Sequence, residues 1–133
     1  MLINLDHVGI AVENLNESLA TFKELYGVEP IHRETVASQG VEEAMLSVGG
    51  SYVQLLQPID EDGPVARFLQ QRGQGMHHLA FAVADIEAAL RHLESQGARL
   101  VDVEPRIGGQ GKRIAFVHPR SFGGTLIELV ESP

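Results

Sequence analysis

The apolar residues of this chain fall into two rhythms that repeat. Residues 5–12 (LDHVGIAV) alternate: Val8, Ile10 and Val12 share one face, and His7, Gly9 and Ala11 share the other. Residues 76–83 repeat this, with Leu79, Phe81 and Val83 against His78, Ala80 and Ala82. Each segment predicts a strand with one bulky apolar face, suited to packing on a helix. The opposite face sets a histidine among small residues, which suits an open cavity. A helical rhythm follows each strand. Leu15, Leu19 and Phe22 form one stripe after an Asn14/Glu17 capping box, with Gly27 as the stop. Ile86, Leu90 and Leu93 form the other, with Asp85 as cap and Gly97 as stop. Three short extended segments are then predicted in each half, near 30–37, 42–48 and 51–57, and near 99–104, 112–118 and 125–131. Gly49-Gly50 and Gly123-Gly124 read as turns before each last strand.

The likeness between the halves extends to their letters. Residues 7–15 (HVGIAVENL) match 78–86 (HLAFAVADI), and 47–57 (SVGGSYVQLLQ) match 121–131 (SFGGTLIELVE). The offset is 71 at the start (7 to 78) and 74 at the end (54 to 128), and the unit occurs twice, so this is a duplication and not a solenoid. The predicted organisation is one α+β domain over 1–133. It has a βαβββ unit over 1–58, a connector with a short helix opened by Pro64 over 59–75, and a second βαβββ unit over 76–133. The expected sheet is curved and partly open, with helices outside.

The duplication places four residues with metal-ligand chemistry at matching positions: His7 with His78, and Gln54 with Glu128. Glu128 lies between Ile127 and Leu129 in a predicted strand, and a carboxylate there is costly unless paired or metal-bound. Two imidazoles, a carboxylate and an amide oxygen form a mixed nitrogen/oxygen set. It suits cobalt, manganese, nickel, magnesium, iron or zinc. Four such ligands leave two positions of an octahedral ion for a bidentate substrate. The competing reading makes His7 and His78 relics of duplication that hydrogen-bond backbone. His77 alternates away from His78 and reads as structural. His32, His92 and His118 have no counterpart in the other half.

Composition narrows the function. Ten basic against eighteen acidic residues give a net charge of −8, which opposes binding to nucleic acid. The one basic grouping is Arg106, Lys112, Arg113 and Arg120. Cysteine is absent, which excludes thiolate ligands and cysteine nucleophiles. No apolar run is long enough for a membrane span and no leader pattern is present, so the expected location is cytoplasmic.

The paired HVGIAV and HHLAFAV strands resemble the vicinal oxygen chelate superfamily, which includes glyoxalase I and extradiol dioxygenases. Within it, the chain is similar almost end to end to the methylmalonyl-CoA epimerases. The stretches that carry this are SQGVEEAML (38–46), VQLLQPIDEDGPVARFLQQRGQGMHHLAF (53–81) and GKRIAFVHPRSFGGTLIELV (111–130). The resemblance implies an isomerase that interconverts (2R)- and (2S)-methylmalonyl-CoA by C2 proton abstraction and a metal-stabilised enolate, within propionate metabolism. It implies metal ligands at His7, Gln54, His78 and Glu128, a divalent ion with cobalt favoured, an acyl-CoA substrate and a homodimer. It also implies an acid/base role for Glu43. Strand alternation agrees: Glu42 shares a face with Ala44, Leu46 and Val48, leaving Glu43 to project into the cavity. Glu128 is a ligand first and a second acid/base candidate. Lys112, Arg113 and Arg120 are candidates for the coenzyme A phosphates. Two alternatives stay open: a glyoxalase-I-like lyase acting on a thiol hemithioacetal, and a non-catalytic small-molecule binder of the same superfamily. An extradiol dioxygenase is least favoured, because Gln54 fills a position that chemistry needs open.

Overall fold

The structure, a computed structural model, describes residues 1–132. The chain runs β1 (Leu2–Ala11), α1 (Leu15–Tyr26), β2 (Pro30–Val36), β3 (Val41–Val48), β4 (Ser51–Pro58) and α2 (Pro64–Arg72). It continues with β5 (Gly75–Val83), α3 (Ile86–Ser95), β6 (Arg106–Ile107), β7 (Arg113–Val117) and β8 (Ile127–Glu131). The order is βαβββ, a connecting helix and βαβββ again, in the expected α+β class. Two compact units emerge. One is His7–His77, and the other is Met1–Asp6 with the chain from His78 onward. The connecting helix belongs to the first. No helix among the described residues is long and apolar enough to cross a membrane.

In the first unit β2, β3 and β4 form an antiparallel meander, and β4 pairs in parallel with β1. The parallel step needs a crossover, and α1 opens it. Asn14 Oδ1 accepts from the Glu17 N–H at 3.0 Å, and Gly27 ends the helix at φ 70°. A left-handed residue there favours glycine. Alternation then gives the sheet two apolar faces. Val12, Ala44, Leu46 and Leu55 pack with Leu15 of α1. Ala11, Val36, Val41 and Leu56 pack with Val65 of α2 on the other side. Helix α2 covers only that end of its face.

In the second unit β5 pairs in parallel with β8, and β8, β7 and β6 pair antiparallel. Asp85 Oδ1 caps α3 through the Ala88 N–H at 3.0 Å. Helix α3 packs Ile86, Ala89 and Leu90 against Val83, Ala115, Val117 and Leu129. One expectation fails here. The strand foreseen over 99–104 is absent. A single bridge joins Leu100 to Val117, and the edge strand is a two-residue β6 placed later. Asp102 explains the difference: its Oδ2 accepts from the Phe116 N–H at 2.8 Å, so a side chain serves the edge of β7 where a strand would.

Candidate active site

In the first unit the face beyond the reach of α2 is polar. Register builds it: Gly9 lies beside Gln54, and Gln54 lies opposite Met45. Period-two alternation therefore puts His7, Gln54 and Glu43 on one side, with no side chain at Gly9 to crowd Gln54. All three are buried. Gln54 Nε2 donates a short hydrogen bond to Glu43 Oε2. Gln54 Oε1 is buried and meets no donor. A buried acceptor without a partner costs about 1–3 kcal/mol. A cation removes that penalty, and an amide oxygen is a suitable hard ligand, so Gln54 fits a metal-ligand role.

Glu43 is 2% exposed. Burial is the main influence on its carboxyl, raising it above the ordinary glutamate value. The Gln54 hydrogen bond and the His7 imidazole oppose the rise, and the neighbouring Glu34 carboxyl adds to it. A carboxylate so raised is a stronger base than one in water.

In the second unit Glu128 lies beside Ala80 on β5 and opposite Phe116 on β7. His78 Nε2 is 3.9 Å from Glu128 Oε1, and both side chains are buried. Phe116 meets the His78 ring edge-on at 5.7 Å, and the Arg106 guanidinium lies 5.4 Å from the Phe116 centroid. Arg106 Nε lies 3.4 Å from Asp102 Oδ2. Asp102 thus holds both the β7 backbone and the arginine that backs the aromatic wall behind His78.

The basic candidates divide. Arg113 contacts Glu87 at 2.6 Å and Glu131 at 3.2 Å, tying α3 to β8. Lys112 and Arg120 form no ion pair among the described residues. His118 Nδ1 accepts from the Arg120 N–H at 3.0 Å and caps a 3-10 turn, so its role is local. His77 packs edge-on against Phe68 at 5.1 Å. Burial, with Arg72 nearby, lowers its pKa to about 4, and it is neutral at pH 7.

Two features escape the sequence reading. The repeat holds a second Gln/Glu pair, Gln57 and Glu131, with a different task. Gln57 Oε1 accepts from the Leu15 N–H at 2.7 Å, and Glu131 Oε2 from the Ile86 N–H at 3.0 Å. Each pins the first turn of its helix to the last strand of its unit. The two pairs lie three positions apart along the strand, so alternation puts them on opposite faces, a signal the sequence did contain. The other feature is Glu34, which the β2–β3 register sets directly opposite Glu43. Only the tight 3-10 turn at Ala37–Gln39, closed by Gly40 at φ 67°, fixes that register.

The chain has relatives among known proteins. Residues 6–116 match the model of the Glyoxalase/Bleomycin resistance protein/Dioxygenase superfamily. The chain belongs to this superfamily. The mitochondrial methylmalonyl-CoA epimerase of Homo sapiens is 35% identical over 129 residues, covering 96% of this chain and 73% of the relative. The crystal structure of methylmalonyl-CoA epimerase from Mycobacterium tuberculosis superposes with a TM-score of 0.94 at 44% identity, covering 99% of this chain and 90% of that one. A methylmalonyl-CoA epimerase solved with methylmalonyl-CoA and NH4+ superposes with a TM-score of 0.95 at 42% identity, covering 99% and 96%.

Proposed function

We propose that this chain is a metal-dependent isomerase that interconverts (2R)- and (2S)-methylmalonyl-CoA. The observation that carries the reading is the pair Glu43 and Gln54: a buried carboxylate raised by its surroundings, bonded to an amide whose oxygen lacks a donor. The names and near-complete overlap of the solved epimerases support the substrate. The proposed ligands are His7, Gln54, His78 and Glu128, with cobalt as the preferred ion. Bound there, a divalent metal supplies Lewis-acid stabilisation of the charge that develops on a thioester oxygen.

Glu43 removes the proton from C2. Burial keeps its carboxylate poorly solvated, and Gln54 Nε2 fixes one of its oxygens, so the other is the basic one. Glu128 is the second acid/base candidate, returning a proton on the opposite face; ligation weakens it in that role. Lys112 and Arg120 are the proposed partners of the coenzyme A phosphates. Arg113, held by two carboxylates, is the weakest of the three candidates. A homodimer and a place in propionate metabolism complete the proposal.

The test is deuterium incorporation at C2 of (2R)-methylmalonyl-CoA in D2O, beside a no-enzyme control. Exchange with racemisation that disappears with EDTA and returns with cobalt is the expected result. Exchange no faster than the control in every sample would reject the reading and direct attention to other thiol-linked substrates.

A further inference from the structure

We propose that Glu34 and His32 form a proton outlet from Glu43 to solvent. The inference rests on the epimerase reading, because it concerns the proton that Glu43 takes from C2. Glu43 is 2% exposed, so its carboxyl meets bulk water hardly at all. Glu34 stands directly opposite it across the β2–β3 ladder, and its neighbouring carboxyl raises the pKa of Glu43. His32, two residues back on β2, is on the same face. Its Nε2 lies 3.0 Å from Glu34 Oε1. A ligand atom from each of His32, Glu34 and Glu43 falls within 4.8 Å of the other two.

The burial of these groups is graded. The His32 Nε2 atom is itself buried, yet 31% of the side chains of both His32 and Glu34 is exposed. The imidazole thus turns one nitrogen inward, close to Glu34 but not aligned as a hydrogen bond, while the side chain meets solvent. The intervening Arg33 faces the other way, where Glu42 Oε2 at 2.9 Å and Asn16 Oδ1 at 2.8 Å hold it. That leaves its guanidinium off the line. Proton movement balances at every step. The Glu43 carboxyl gives its proton to the Glu34 carboxylate, and Glu34 Oε1 passes a proton to His32 Nε2. The imidazolium then releases an N–H proton to water. A small turn of the imidazole about χ2, a soft torsion, aligns the middle step.

When a second base returns the proton, each one-way turnover leaves Glu43 protonated, and the outlet resets it by carrying that proton to solvent. Its signature is isotopic: the C2 hydrogen parked on Glu43 exchanges with solvent before it is returned. The experiment follows C2-deuterated methylmalonyl-CoA in H2O with metal-loaded enzyme, starting from each isomer, against a no-enzyme control. Two rates are read: epimerisation, and loss of deuterium from the unreacted isomer. In Glu34→Gln and His32→Gln the ratio of washout to epimerisation should fall by at least about tenfold from one of the two isomers, as internal return replaces exchange. An unchanged ratio in His32→Gln overturns the proposal, even if Glu34→Gln is too impaired to assay. A metal-free readout stands beside this. The His32 ring proton resonances, read by NMR at one fixed pH, should move on Glu34→Gln and also on Glu43→Gln, two side chains away. No response to Glu43→Gln breaks the chain. Wild-type protein that fails to epimerise sinks the epimerase reading instead, which this NMR measurement does not touch.

Discussion

Replacing Gln54 by Met separates what the amide does for the fold from what it does for a metal. Methionine has a similar length and no hydrogen-bonding amide. The change removes the bond from Nε2 to Glu43, a charge-assisted contact that contributes about 1.5–3 kcal/mol. It also removes the unsatisfied Oε1, a penalty of about 1–3 kcal/mol. Glu43, left without its donor, moves further toward its protonated form, which limits the loss. The two effects offset, and metal-free Gln54→Met should lie within about 1 kcal/mol of the parent. With metal the two proteins part. Metal at one hundred times its dissociation constant stabilises the parent by about 2.7 kcal/mol. A 133-residue domain unfolds with an entropy of about 0.28 kcal/mol/K, so the melting temperature rises by about 10 °C. A ligand loss that weakens affinity about 100-fold leaves about 0.4 kcal/mol at the same metal concentration, a rise of one or two degrees at most. The assay is thermal melting of both proteins in EDTA and in cobalt. Equal metal-induced rises would refute the ligand role. A metal-free loss above about 3 kcal/mol would refute the offset argument, because the amide would then be a structural keystone.

Glu43→Gln should lower kcat by about 10²–10⁴-fold. In the wild type, kcat/KM should fall with decreasing pH along a limb lying above the ordinary glutamate range, since burial raises this base; a limb within that range would contradict the assignment. His77 has a folded pKa of about 4 against 6.5 unperturbed, so the fold excludes its proton. Stability therefore declines as pH falls from 6.5 toward 4, by at most about 3 kcal/mol given its partial exposure. His77→Phe should flatten that decline in denaturant titrations, and an unchanged slope would place the acid sensitivity elsewhere. Lys112→Glu should raise KM for the coenzyme A thioester with little change in kcat, and an unaltered KM would remove Lys112 from the phosphate contacts.

Much of the site was legible because strand alternation is strict. Once residues 5–12 and 42–48 are read as strands, His7 and Glu43 must leave the face packed on α1, and they do. Duplication supplied the remaining proposed ligands by matching Gln54 to Glu128. The same duplication misled at residues 99–104, where the copies diverge. Asp102 there replaces a strand's hydrogen bond with a side-chain one, which no hydrophobic pattern registers.

The chain by itself determined the order of elements, the capped helices and the face each polar residue occupies. These depend on local sterics and on a periodicity of two or 3.6, both written in neighbouring residues. Only the tertiary structure decided which side chains meet. Glu34 reaches Glu43 because a one-residue difference in the turn at Ala37–Gly40 would have set another side chain opposite it. Gln54 Oε1 is without a donor in a place that the register of β1, β3 and β4 sets. Arg113 is occupied because α3 and β8 each bring it a carboxylate. Such pairings are set by register and packing between segments distant in sequence, where the energy of a contact depends on a separation that composition does not encode.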